Sequence, residues 1–167
     1  MEEIYFEKIS ELRKNLAELR KKLNIEIKLQ GRKAIISGDS INEYEASLVL
    51  EAISFGFSAK KALLLKDPEM IFRKLQIKNF TKRKDLKEVR GRIIGTKGKT
   101  KKTIEEISGC HLILKNNELG IIASTESIEE ATLAITNLIK GTKQSNVYRY
   151  LERTNKIKKE ESLELKN

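Results

Sequence analysis

The chain has 167 residues, and 34 Lys and Arg residues against 24 Asp and Glu residues give it a formal net charge of +10. This length fits one large domain or two small ones, no apolar run reaches the roughly 18 residues of a membrane span, and the acidic start lacks the features of a secretory signal. One cysteine and one histidine exclude an internal disulfide and a His/Cys metal site, so we expect a soluble cytoplasmic protein whose positive charge attracts nucleic acid or another anionic partner.

The first half of the chain predicts a unit of strands and helices, followed by a compact bridge. Leucines at helical spacing predict one uninterrupted helix, and a Ser-x-x-Glu capping box predicts the start of another. The predicted elements are a strand at 4–6, a helix from Ile9 to Leu23, strands at 25–29 and 34–36 around a turn at Gly31, a helix from Ser40 to Gly56, a short helix at 58–65 and a helix start at Pro68.

The second half repeats this plan at a spacing of about 85 residues. Its predicted elements are a strand at 74–78, a helix from about Lys82 with Leu86, Val89, Ile93 and Ile94 on one face, a helix from Lys99 to Gly109 with Thr103, Ile104 and Ile107 inward, strands at 111–115 and 120–123, a helix from a capping box at Ser127 to Gly141, and a last helix from Asn146 to about Lys158 with frayed residues beyond it. The pattern predicts an α+β protein in which the first unit has one helix where the second has two.

The motif Gly95-Thr96-Lys97-Gly98 joins those two helices and offers a site for a phosphate. Glycines let a sugar-phosphate strand approach the backbone, and the next helix begins with free N–H groups at the positive end of its dipole. A G-x-x-G alone is a weak signal. Here it lies among a dense set of cations: Arg90, Arg92, Lys97, Lys99, Lys101 and Lys102.

Two catalytic interpretations fail on the residues themselves. The stretch Gly98-Lys99-Thr100 matches the end of a P-loop, but the earlier glycine of that motif is Ile93 here, and a helix rather than a strand leads into it. Cys110 and His111 are neighbours on a strand and face opposite sides, so we expect a core cysteine and an edge histidine. No catalytic group converges near the loop, and we predict a protein that is not an enzyme and uses no cofactor or metal.

The stretch Arg90–Thr100, followed by Ile104-Glu105 and Ser108-Gly109, resembles a type I KH domain, whose G-x-x-G loop holds single-stranded RNA. Together with Ile53–Ser58 and Val147–Arg153, it is similar to the archaeal members of the partner-of-Nob-one (Krr/Dim/Pno-like) family, tandem-KH ribosome assembly factors. The resemblance implies two tandem type I KH domains of β-α-α-β-β-α order, the first degenerate and without a GxxG loop. The implied boundaries are a degenerate KH domain at 1–66, a connecting segment with the next first strand at 67–82, a KH domain with the loop at 83–144, and a C-terminal helix with a charged tail at 145–167.

The resemblance also implies a function, which is binding to the 3′ region of small-subunit (pre-)ribosomal RNA and assistance to its endonucleolytic maturation. The implied partners are that single-stranded RNA, the Nob endonuclease, the pre-small ribosomal subunit and the alpha subunit of translation initiation factor two. The RNA-binding residues carried over with it are Arg90, Arg92, Ile94, Gly95, Thr96, Lys97, Gly98, Lys99, Thr100 and Lys102. Two alternatives stay open: a KH protein acting on messenger RNA, translation or transcription, and a scaffold whose basic surface meets an acidic protein.

Overall fold

The computed structural model describes residues 1–166 and contains two compact units, Met1–Phe72 and Arg73–Asn167. Strands and helices follow one another as β-α-α-β-β-α in both halves. Each three-stranded sheet places the last of its strands in the middle, with the orders β1-β3-β2 and β4-β6-β5. The repeated α+β plan predicted from the sequence is confirmed.

The first unit packs its helices on one small sheet. Its elements are β1 (Glu2–Tyr5), α1 (Ser10–Lys14), α2 (Leu16–Leu23), β2 (Glu26–Gln30), β3 (Lys33–Ser37), α3 (Ser40–Phe55), α4 (Ala59–Ala62) and a 3-10 turn at Leu63–Lys66. β3 pairs antiparallel with both neighbours. Alternate residues of the strands are buried, as period-two burial of one sheet face requires, and Phe55, Phe57 and Phe72 form an aromatic cluster beside them.

The second unit contains the predicted helix pair. Its elements are β4 (Met70–Gln76), whose residues through Phe72 belong to the first unit, α5 (Leu86–Ile94), α6 (Lys99–Ser108), β5 (His111–Lys115), β6 (Glu118–Ser124), α7 (Ile128–Lys140) and α8 (Gln144–Lys166), with 3-10 turns at Ile77–Asn79 and Thr96–Gly98. The inward stripe expected for α7 is buried. On α6, Ile104 is buried as expected, but Thr103 and Ile107 are only half-buried and Thr100 takes their place in the interior.

The helix expected to run unbroken from Ile9 to Leu23 is divided at Asn15, so that prediction is wrong. Asn15 has φ −111° and ψ 13°. Its backbone N–H donates to the Leu12 carbonyl at 3.2 Å, and its side-chain Nδ2 donates to the Glu11 carbonyl at 2.8 Å. Asparagine side chains compete for backbone groups in this way and end helices. The first unit therefore also has two helices, joined by one residue instead of a glycine loop.

Neither predicted capping box forms its serine hydrogen bond. Asp39 is the N-cap of α3, so Ser40 lies inside the helix, and Glu43 accepts the N–H of Gly38 at 3.0 Å. Ser127 is the N-cap of α7, but its side chain accepts no cap hydrogen bond. The positions of these helix starts are correct to within a residue, whereas the predicted bonds are not.

Aspartates decide two other predicted helix starts. Pro68 begins no helix, because Asp67 Oδ1 accepts the N–H of Glu69 at 2.9 Å and the chain turns into β4 instead. α5 begins later than expected, after Asp85, whose side chain accepts the N–H of Lys87 at 3.1 Å. A side-chain acceptor at the N-cap satisfies one of the free N–H groups of the first turn.

α8 is longer than predicted. It runs from Gln144 to Lys166, past the expected end near Lys158. The segment has no glycine or proline and is rich in Lys, Glu and Leu, which favour helix without tertiary support. Val147 and Leu151 are its buried residues. Within residues 1–166, no helix combines the length and apolarity needed to cross a membrane.

Cys110 lies in the core at the entry to β5, as predicted, with 1% of its surface exposed. Burial raises the pKa of its thiol to about 11. The reactive species of cysteine is the thiolate. Burial of Cys110 keeps reagents away from the sulfur and also keeps the thiol protonated.

We expect the folded protein to react very slowly with a disulfide reagent such as DTNB at pH 8, because Cys110 is both buried and protonated. In guanidinium chloride the same thiol should react within the mixing time. The release of thionitrobenzoate, followed by absorbance, measures both rates. A stoichiometric fast phase in the folded protein would contradict the core position of Cys110.

Candidate nucleic-acid interface

The loop between α5 and α6, residues 95–98, reverses the chain with positive backbone φ angles. Gly95, Lys97 and Gly98 have φ of 77°, 56° and 74°. The N–H of Gly95 donates to the Gly91 carbonyl at 2.8 Å, and the N–H of Gly98 donates to the Gly95 carbonyl at 3.2 Å. A lysine with positive φ is strained by roughly 1 kcal/mol, so surrounding contacts must hold it there.

The two loop glycines are needed for different reasons. A Cβ on Gly95 would lie 2.1 Å from Oγ1 of Thr100, so the Gly95 backbone rests directly on that side chain. A Cβ on Gly98 would meet nothing within 4 Å. Gly98 is therefore required by its φ alone, and the space beside it is open for a ligand.

The surface around the loop is exposed and positively charged. Ile94, expected on the apolar face of its helix and also among the RNA-binding residues, is 39% exposed. The exposed lysines of this region, Lys97, Lys99 and Lys102, form no ion pair within the described part of the chain. We define the loop surface as the exposed side chains of Ile94, Thr96, Lys97, Lys99 and Lys102.

The N-terminus of α6 opens onto this surface. Gly98 is the N-cap of α6 and carries no side chain that could accept from the first turn. The N–H groups of a first helical turn have no partner inside the helix, and together with the helix dipole they favour an anion. The N–H of Lys99 donates to the Thr96 carbonyl, so what fits a phosphate on this surface is the set of unpaired lysines together with the positive end of the α6 dipole.

Three predicted RNA-binding residues have internal partners instead. Arg90 is half-buried and donates to Oδ1 of Asn117 in the β5–β6 turn. Arg92 donates from Nη2 to the Thr142 carbonyl at 2.9 Å. Thr100 is only 5% exposed, so its side chain lies beneath the surface rather than on it. These side chains support the loop from inside the unit.

Lys101, also in the basic cluster of the sequence, is neutralised. It pairs with Glu105 at 3.2 Å, and the other oxygen of Glu105 accepts the N–H of Leu112 at 3.1 Å. The pair therefore ties α6 to the edge strand β5, where His111 is the half-buried first residue. The i,i+4 spacing of Lys101 and Glu105 was the sequence signal for this pairing.

Other functional contacts had no local signal in the sequence. Asn117 and Gln144 bind residues of α5 and α6 from 27 and 44 positions away along the chain. Among residues 1–166, no three His, Cys, Asp or Glu side chains are grouped so that they could hold a metal ion.

A family profile matches this part of the chain. The profile of the second KH domain of PNO1, described as a eukaryotic type KH-domain (KH-domain type I), matches residues 71–156. That span contains the loop, the helices beside it, β5, β6, α7 and the buried part of α8.

Curated relatives carry the same family name. RNA-binding protein PNO1 of Oryzias latipes is 34% identical over 109 residues, which are 62% of this chain and 44% of that protein. The chain spans about half the length of the curated relatives it matches.

Solved structures extend the similarity to both units. Dim2p from Pyrococcus horikoshii OT3 has a TM-score of 0.82 and 29% sequence identity, covering 91% of this chain and 98% of that one. A chain in the crystal structure of the a/eIF2alpha-aDim2p-rRNA complex from Pyrococcus horikoshii OT3 has a TM-score of 0.80 and 28% identity, with 93% of each chain covered.

Alanine substitutions of three glycines should separate the roles of the loop residues. Gly91 lies inside α5 with nothing within 4 Å of an added Cβ, so Gly91→Ala should stabilise the protein by up to about 1 kcal/mol. Gly98→Ala should cost about 1 kcal/mol for its positive φ. Gly95→Ala should cost clearly more, because it adds a clash with Thr100. Free energies of unfolding from chemical denaturation, followed by circular dichroism, give the order, and equal costs at Gly95 and Gly98 would contradict the contact.

Proposed function

The chain belongs to the type I KH-domain family of the PNO1 kind, and from this premise we propose that it binds single-stranded RNA through the loop surface as a ribosome assembly factor. The observation that carries the proposal is the open, cationic loop at the uncapped N-terminus of α6. Glycine backbone without side chains lets a phosphate approach the positive end of the α6 dipole closely.

The composition of the surface favours phosphate and aliphatic contacts over base stacking. Lys97, Lys99 and Lys102 supply charge, and the exposed Ile94 supplies an apolar contact for a base. Aromatic residues make up only 5% of the chain, and it has no Trp. A KH groove of this kind holds about four nucleotides of a single strand.

The proposed RNA is the 3′ region of small-subunit ribosomal RNA, and the proposed role is to assist its endonucleolytic maturation in the cytoplasm. Support comes from the family and from the structural neighbour whose complex contains a/eIF2alpha and rRNA. The proposed partners are the pre-small ribosomal subunit, the Nob endonuclease and the alpha subunit of translation initiation factor two. In this scheme the chain has no catalytic role, and the cut is made by the endonuclease.

The proposed domain organisation follows the sequence expectation. Residues 1–66 form the degenerate KH domain, 67–82 connect it to the next domain and include its first strand, 83–144 form the KH domain with the loop, and 145–167 form the C-terminal helix and tail. The junction at Asn15 supports the description of the first domain as degenerate, because its helices meet without glycine.

Binding should prefer a single strand and should weaken with salt. With about four phosphates contacted, the plot of log affinity against log salt should have a slope near −3. Fluorescence anisotropy with a labelled 3′-terminal small-subunit RNA, a scrambled strand and a duplex of equal length measures both properties.

Equal affinity for duplex and single strand would contradict the KH mode of binding. Equal affinity for the 3′-terminal RNA and the scrambled strand would favour the messenger RNA alternative. If a variant with a disrupted loop kept its affinity for an acidic protein partner, the scaffold alternative would be favoured.

Negative charge in the loop should reduce RNA affinity. Changing Thr96 and Lys97 together to Asp should raise Kd at least tenfold, about 1.4 kcal/mol, because two carboxylates then face the phosphate path. The matched control changes Lys159 and Ser162 to Asp, which alters net charge equally at exposed positions of α8. The control should bind RNA nearly as the unchanged protein does. Equal losses in both variants would show a general charge effect and sink the assignment to the loop.

A further inference from the structure

One short segment lies behind both helices that flank the loop. Residues 141–143 connect α7 to α8, and we call them, together with Gln144, the first residue of α8, the brace segment. In the last turn of α5, Arg92 donates from Nη2 to the carbonyl of Thr142 at 2.9 Å. In the first turn of α6, Oγ1 of Thr100 accepts from Nε2 of Gln144 at 3.2 Å. The two helix ends that the loop connects are therefore both hydrogen-bonded to this one short segment.

The Arg92 side chain fits the turn it contacts. Gly141 ends α7 with φ +114°, and a Cβ there would lie 3.8 Å from Nη1 of Arg92. The guanidinium thus covers the C-terminal end of α7, where the helix dipole favours a cation. The Nη2 group of Arg92 is therefore used in a hydrogen bond inside the unit.

α8 keeps the brace segment in position. Val147 and Leu151 are each 2% exposed on the face of α8 that packs against α6 and α7. At the opposite end of α6, Nδ2 of Asn155 donates to the carbonyl of Ile107. α8 is therefore bonded to α6 at two joints, one beside the loop and one far from it.

Thr100 links the brace segment to the loop. Its side chain is buried, it is hydrogen-bonded to Gln144, and the backbone of Gly95 rests against it. Two residues further along the loop, Lys97 holds a positive φ that an L-residue leaves unless its surroundings prevent it. Freeing Thr100 would let the loop relax toward conformations in which the hydrogen bond from the Gly98 N–H to the Gly95 carbonyl is no longer held.

We propose that the brace segment sets the spacing of α5 and α6 at the loop, and that Arg92, Thr100 and Gln144 are positioning residues for RNA binding that do not touch the RNA. This inference rests on the proposed RNA-binding function. It assigns to the C-terminal helix, which lies outside the β-α-α-β-β-α unit, a direct part in the affinity of that unit.

The first test removes the hydrogen bond between Gln144 and Thr100. Gln144→Met and Thr100→Val should each raise the Kd for the single-stranded RNA about fivefold, the worth of one internal hydrogen bond. The double variant should bind no more weakly than the weaker single variant, because both lose the same bond. Thr100→Ser, which keeps the hydroxyl, should retain affinity. In the RNA-free protein, amide exchange at Gly98 should become faster in Gln144→Met.

The matched control is Asn155→Leu, which cuts the joint at the far end of α6. It should change neither the Kd nor the exchange rate at Gly98. A loss of affinity equal to that of Gln144→Met would show that α8 acts only through general stability, which overturns the proposal. An unchanged Kd in Gln144→Met also overturns it.

The salt slope distinguishes positioning from contact at Arg92. Arg92→Gln should lower affinity without changing the slope, whereas Lys97→Met should flatten it by about 0.7, one phosphate contact. A flattened slope in Arg92→Gln would place Arg92 on a phosphate and overturn its positioning role. If the unchanged protein binds no RNA, the proposed function fails. Exchange at Gly98 in the free protein then still decides whether Gln144 holds the loop.

Discussion

The second unit depends on one contact, the packing of the Gly95 backbone against the buried side chain of Thr100. Any Cβ at Gly95 would lie within 2.1 Å of the threonine hydroxyl, so the chain can turn this tightly only with glycine. The tight turn brings the end of α5 onto the start of α6. It also leaves Gly98 as an N-cap with no side chain, so no side chain covers the positive end of the α6 dipole. The shape of the loop surface and its capacity for an anion thus follow from one short contact.

The two units make the same helix junction in opposite ways. In the first unit, the Asn15 side chain turns back to the Glu11 carbonyl, and the Glu11 carboxylate accepts the N–H of Ala59 at 3.0 Å. The polar groups of that junction are used inside the unit. In the second unit, glycines replace the capping side chain, and the side chains of Thr96, Lys97 and Lys99 are exposed. The shared strand order shows that this difference is local and does not require a different fold.

The sequence patterns predicted the structural features that depend on residues close together along the chain. Apolar spacing located the helices, and the two glycines located the loop. Alternation located the strands, except that the one predicted at 74–78 is β4 at Met70–Gln76, and Ile77 and Lys78 lie in a 3-10 turn. Asn15 was missed because leucine spacing continues through it, and a one-residue break leaves the apolar stripe almost unchanged. The partners of Arg92 and Thr100 were missed because Thr142 and Gln144 lie far along the chain and become neighbours only after α7 has folded back. Ile94 shares its apolar character with Val89 and Ile93, but its position at the end of α5 leaves it exposed while those two are buried.

The net charge of +10 does not by itself create the loop surface. Lys101 is paired with Glu105, Arg73 donates to Glu129 and lowers the pKa of that carboxyl, and Lys158 pairs with Glu130. Each of these carboxylates cancels a nearby cation. The cations left without an ion pair at the loop are Lys97 in the turn and Lys99 and Lys102 in the first turn of α6. Because a local field depends on unpaired charge, the placement of the carboxylates determines where an anion is attracted.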